Sequence, residues 1–181
     1  MIRIRATEEM PASASRVWGL LTDWESHSRW IPATEVRVLS GDGGLGTRFV
    51  GRSSAALAIP GVPSADAAGG SVSAPSSVSG LVGRLGSVLG RIGFDDPMTV
   101  TVFDPPHEGH AGRCEIEKTG SVVLGTAGFT VAPTGADSCT VTWWEDVEVA
   151  PTRLTRWADP VVERAAAYGF ARVLRAARAE L

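Results

Sequence analysis

The sequence predicts an α+β fold in which an antiparallel sheet wraps around a long C-terminal helix. Three observations carry this. The chain opens with a strand pattern, two short helical stretches and a proline stop, all before residue 33. Further strand-like runs follow, four of them in succession towards the C-terminal half. The chain then closes on one long amphipathic helical pattern. A helix with one apolar stripe and a sheet with one apolar face bury themselves against each other. Such a wrap leaves a cavity, and a cavity suggests a small apolar ligand.

Each element has its own sequence logic. Ile2 and Ile4 alternate with Arg3 and Arg5, as a half-buried strand does. Ser13 suits an N-cap, although Arg16 three positions later makes no capping box. Val17, Leu20 and Leu21 give the next helix its apolar face. Asp23 can cap a second short helix, which Pro32 ends. Residues 35–40 and 47–53 read as a hairpin through the glycine-rich turn 41–44. From 55 to 93 the composition shifts to Ser, Ala, Gly and Pro, and this segment is expected to be a flexible insertion. Within it Leu81, Leu85, Val88 and Ile92 recur at helical spacing over 81–92, with glycines at 83, 86 and 90. Each of those glycines costs about 1 kcal/mol against alanine.

Four strands are predicted over 96–103, 113–118, 121–131 and 139–149, the last being the richest in β-branched and aromatic residues. Asp159 then caps a helix with Pro160 at its first position. Val162, Ala166, Phe170, Val173, Ala177 and Leu181 form its apolar stripe, and Arg164, Tyr168, Arg172, Arg175 and Arg178 project the other way.

Bulk properties exclude several classes. The length of 181 residues suits one domain with a sizeable core. A net charge of −3 and a pI near 5.6 give no basic field for nucleic acid. Cys114 and Cys139 show no metal or redox spacing and are expected to be buried thiols. The start carries no secretory pattern and no run is apolar enough to span a membrane, so a cytoplasmic location is the expectation.

The element order, together with Val17-Trp18…Asp23…Trp30-Ile31-Pro32 and the runs 95–102 and 140–147, resembles the SRPBCC superfamily of START-like and polyketide cyclase/dehydrase-like helix-grip proteins. The resemblance covers residues 1–54 and 94–181. It implies a seven-stranded antiparallel sheet gripping the last helix, a ligand cavity between them, and no required cofactor. Members include lipid carriers, hormone-binding proteins and aromatase/cyclases.

Gly41 to Gly46 matches GxGxxG, but a strand and not a helix follows, so it reads as a hairpin turn. His107 and His110 offer two ligands at most, and no metal site is expected. Lys118, the chain's lone lysine, sits beside a turn and is expected in solvent, as are Arg48 and Arg52. In the last strand Val141, Trp143, Val147 and Val149 share one parity, and Glu145 shares it with them. Its carboxylate should therefore face the helix and cavity, where it needs a partner or a raised pKa. Glu145 thus reads as a structural acid satisfied by an arginine or a hydroxyl, as a ligand-orienting group, or as a general acid/base; His27 is expected in solvent and is a second catalytic candidate only if it faces inward. Trp30, Phe49, Met98, Val100, Val102, Ile116, Phe129, Trp143, Val162, Ala166 and Phe170 are the candidate apolar lining.

These observations lead to binding or carriage of a small hydrophobic molecule such as a lipid, isoprenoid or polyketide-like compound. A cofactor-independent cyclase, aromatase or dehydratase using Glu145 is the alternative. A third reading is a protein-interaction module with a filled cavity, with Trp144 on the outer sheet face as its contact. Transient contact with a membrane surface would fall to residues 81–92.

Overall fold

The computed structural model describes residues 1–32, 34–54, 93–149 and 159–181, with backbone alone at 54, 159–163, 165 and 166. Expectations for the insertion and its 81–92 helix therefore lie outside the described residues, apart from Gly93, which opens a strand.

Seven strands form one sheet: β1 (Ile2–Met10), β2 (Thr34–Ser40), β3 (Arg48–Ser54), β4 (Gly93–Asp104), β5 (Gly112–Thr119), β6 (Val123–Gly135) and β7 (Ser138–Val149). Their order is β1-β7-β6-β5-β4-β3-β2, and every neighbouring pair is antiparallel. Helix α1 (Ala14–Thr22) follows β1, a 3-10 turn (Trp24–Ser26) runs on into α2 (His27–Trp30), and α3 (Asp159–Arg178) closes the chain. This is the predicted helix-grip fold. Among the described residues no helix is long and apolar enough to cross a membrane.

The core follows from the pattern of apolar residues. Val17, Trp18 and Leu21 of α1 are buried against Phe129, Val131 and Val141 of β6 and β7. Leu174 and Ala177 of α3 are fully buried in the same cluster. Trp18 meets Phe129 and Phe103 edge-on, with ring centroids 5.4 and 5.2 Å apart. These residues form one buried apolar cluster at this end of the sheet.

The glycine-rich turn does what a hairpin turn requires. Gly41, Gly43 and Gly46 adopt positive φ, a region costly for other residues. The Gly43 carbonyl accepts a hydrogen bond from Trp24 Nε1 at 2.9 Å. That bond ties the β2–β3 turn to the short helices and holds Trp24 stacked on Phe49, centroids 4.5 Å apart.

One parity expectation fails. The β4–β5 register shifts between Val100 and Val102, so Val102 pairs with Glu115 and Phe103 with Cys114. Phe103 turns inward onto Trp18, and Val102 leaves the inner face. A bulge adds one residue to a strand and reverses the parity beyond it.

Candidate functional site

At the other end the inner face of the sheet stands away from the helices. A cavity of about 340 Å³ lies there, at the start of β1, β2, β4 and β6 and the end of β3, β5 and β7. Trp24, His27 and Ile31 cover it from the short helices and Phe170 from α3. Its walls are largely apolar, and its size falls at the lower end of ligand pockets.

The polar part of the wall is a buried charge cluster on three strands. Lys118 Nζ donates to Asp96 Oδ2 at 2.7 Å and lies 3.6 Å from Glu145 Oε1. Each of these side chains is only 10% exposed. The register explains how the cluster assembles. Met98 of β4 pairs with Lys118 of β5, which pairs with Gly125 of β6, itself opposite Val147 of β7. One step along, Ile116 pairs with Ala127, which pairs with Glu145. Lys118 and Glu145 thus stand two strands apart and approach each other over β6, where the intervening residues are glycine and alanine. Of these two, Ala127 lines the cavity.

Burial governs the cluster's protonation. Desolvation raises the Glu145 pKa above the ordinary carboxylate value; Lys118 pulls it back, and Asp96 adds to the rise. The Trp143 indole N–H is close enough to favour the charged carboxylate, yet short of a hydrogen bond of normal geometry. Burial by itself would lower the Lys118 pKa, but the two carboxylates outweigh it and the pKa is raised. Lys118 is therefore held as an ammonium.

His27 is buried, not solvated. Its Nε2 lies 2.9 Å from the Leu21 carbonyl. A carbonyl only accepts, so Nε2 carries the proton and Nδ1 is left as an acceptor. Desolvation lowers its pKa to about 4, against smaller raising effects from Leu21 and Asp23. The ring is neutral at physiological pH and lies between Trp24, Trp30 and Trp143.

The structure sorts the sequence-predicted residues. His27, Phe49, Met98, Ile116, Trp143, Glu145 and Phe170 come together on the cavity wall. Trp30, Val100 and Phe129 are buried in the core and do not line that cavity, and Val102 is turned away by the bulge. The side chains of Val162 and Ala166 lie outside the described residues. Tyr168 is exposed, as its helix face requires. Trp144 lies on the outer face over Gly128, under the Arg113 guanidinium at 6.0 Å, rather than standing free.

Sequence reasoning missed Lys118 and Asp96. Lys118 was expected in solvent, and it is a member of the buried cluster. The signal was present: Ile116 and Met98 face inward, and a period of two carries the same face to Lys118 and Asp96.

Sheet, gripped helix and the cavity between them define a helix-grip protein. The profile of the family described as "Polyketide cyclase / dehydrase and lipid transport" matches residues 1–181, and the chain belongs to that family. Among solved structures it is similar to a START superfamily protein from Mycobacterium smegmatis, with 16% identity over 99% of this chain and 97% of that one, and a TM-score of 0.63. The Zhui aromatase/cyclase from Streptomyces sp. R1128 gives 14% identity, coverage of 98% and 92%, and a TM-score of 0.62. A truncated norcoclaurine synthase from Thalictrum flavum gives 17%, 97% and 90%, and 0.52. At such identities the likeness establishes the fold alone. Comparison with the curated proteins gives no match.

Proposed function

We propose that this protein binds a small, mainly apolar molecule in the sheet–helix cavity and orients it by one polar group placed against Lys118, Glu145 and Asp96. The observation that carries this reading is an apolar cavity of about 340 Å³ with a buried charge cluster in its wall. A ligand that fills this apolar space removes its walls from water and gains contacts with them. A cavity this size also speaks against the filled core of an interaction module. Residues 81–92 lie outside the described residues, so membrane-surface contact stays a separate proposal that this reading does not need.

Gly51 offers the direct test. It lines the cavity, and an added Cβ would meet the terminal methyl of Met98 at 3.2 Å, which can swing aside, and Thr34 Cγ2 at 3.8 Å. Gly51→Leu should fill the space with little disturbance to the sheet. Calorimetric titration with neutral apolar compounds is expected to show one-to-one binding by the wild type and a loss of at least tenfold in the variant. Equal binding by both proteins would place the ligand elsewhere.

A second reading, acid–base catalysis on a bound polyketide-like substrate, is favoured by one observation. The raised carboxyl of Glu145 and the neutral imidazole of His27 both face the cavity. Such a pair can hold and accept a proton on one substrate. Turnover that depends on pH and is lost in Glu145→Gln would support it, and unchanged turnover would remove Glu145 from the chemistry.

A further inference from the structure

We infer that the ligand's polar end is a neutral hydroxyl that bridges Lys118 and Glu145, accepting a hydrogen bond from the ammonium and donating one to the carboxyl. The inference rests on the cavity-binding reading above and names the chemical class that reading leaves open.

The hydrogen-bond inventory leads to it. An ammonium has three N–H donors, and Lys118 uses one on Asp96 Oδ2 at 2.7 Å. Glu145 Oε1, at 3.6 Å, is near enough for ionic attraction but too far for a hydrogen bond. Glu145 lines the cavity, and its oxygens are not among the buried polar atoms sealed from both partner and surface. A donor and an acceptor thus face one space, each with unused capacity. A hydroxyl oxygen about 2.8 Å from each closes a triangle on that 3.6 Å base. Ala127, the small residue that stands opposite both Ile116 and Glu145, lines the same cavity.

Charge excludes the obvious competitors. The cluster already holds two carboxyl groups for one ammonium. A ligand carboxylate would add a further negative charge in a poorly solvated site. A hydrocarbon would leave both groups unmet, and an ether could accept from Lys118 but give nothing to Glu145. A hydroxyl alone among these serves both.

A matched series tests this on the intact protein: 2-naphthol, 2-methoxynaphthalene and 2-naphthoate, each titrated by calorimetry. Naphthol is expected to bind about ten- to a hundredfold more tightly than its methyl ether, the range for a buried hydrogen bond to a charged group. Naphthoate is expected to bind most weakly. In Glu145→Leu, where Lys118 keeps its Asp96 partner, the preference for naphthol over the ether should shrink to a few-fold. Equal binding of naphthol and ether would overturn the bridging hydroxyl and leave the cavity reading intact. Tightest binding of naphthoate would also overturn it, in favour of an anion site. No binding by any of the three would overturn both.

Discussion

Replacing Lys118 by methionine removes the cation that faces Asp96 and Glu145 and leaves two carboxyl groups against an apolar wall. The cost can be worked from the groups themselves. Two neighbouring buried carboxylates cannot both stay ionised without a counter-charge, so the folded variant must hold a proton on one of them. Holding a glutamate protonated at pH 7, against its ordinary value of 4.5, costs about 3.4 kcal/mol. That agrees with the roughly 3–5 kcal/mol found on breaking buried ion pairs. The sign of the pH dependence follows. Lys118 lowers the Glu145 pKa, so its loss lets the folded state keep the proton to higher pH while the unfolded chain releases it near 4.5. Stability held by that proton is present at low pH and is lost as pH rises, by up to about 1.4 kcal/mol per unit. Urea unfolding followed by tryptophan fluorescence between pH 5 and 8 should therefore show Lys118→Met several kcal/mol weaker than wild type at pH 7, with the gap closing towards pH 5. The all-neutral combination Lys118→Met, Asp96→Asn, Glu145→Gln should regain most of the loss. A penalty below 1 kcal/mol at pH 7, or one that does not change with pH, would refute the reasoning.

Further predictions follow from other parts of the molecule. The His27 imidazole should titrate near pH 4 by NMR. Its folded value is depressed, so the stability tied to its neutral form is present above the ordinary 6.5 and is lost as pH falls through 4, amounting to roughly 3 kcal/mol; a His27 titration near 6.5 would show the ring to be solvated. Gly125→Ala should cost about 2–4 kcal/mol, because φ is +137° and an added Cβ would run into the Asp146 carbonyl oxygen. Gly19→Ala, on α1 with open space around it, should instead stabilise by about 0.5–1 kcal/mol; thermal unfolding of the two variants compares them directly. Cys114 is buried and its thiol is pushed up to about 12, so a thiol reagent at pH 8 should label it only after unfolding.

The fold was legible because its signals are local and repeated. Alternation marks β1 and β7, the pair Asp159-Pro160 marks the start of α3, and the turn 41–44 marks the first hairpin. Glu145 was legible for the same reason, since four apolar residues of β7 fix its parity. Lys118 and Asp96 lie on equally clear strands, but there a rule of composition competed with the rule of parity. Charged side chains are mostly solvated, and that expectation put Lys118 outside. Three mutually compensating charges overcome the cost of burial, and no single residue shows that compensation in sequence. Val102 failed for a different reason. The bulge after Val100 is set by the register against β5, a long-range property invisible to local alternation. His27 sits on a helix too short to display a period, so its inward orientation is fixed by the Leu21 carbonyl and the tryptophans around it.

The measurement that tests the central claim most directly is native mass spectrometry of the purified protein, followed by organic extraction of whatever is bound. The account predicts a neutral, hydroxyl-bearing apolar molecule held one to one, or taken up from an added panel and displaced in Gly51→Leu. A protein that purifies empty and takes up no lipid, isoprenoid or polyketide-like compound would contradict it.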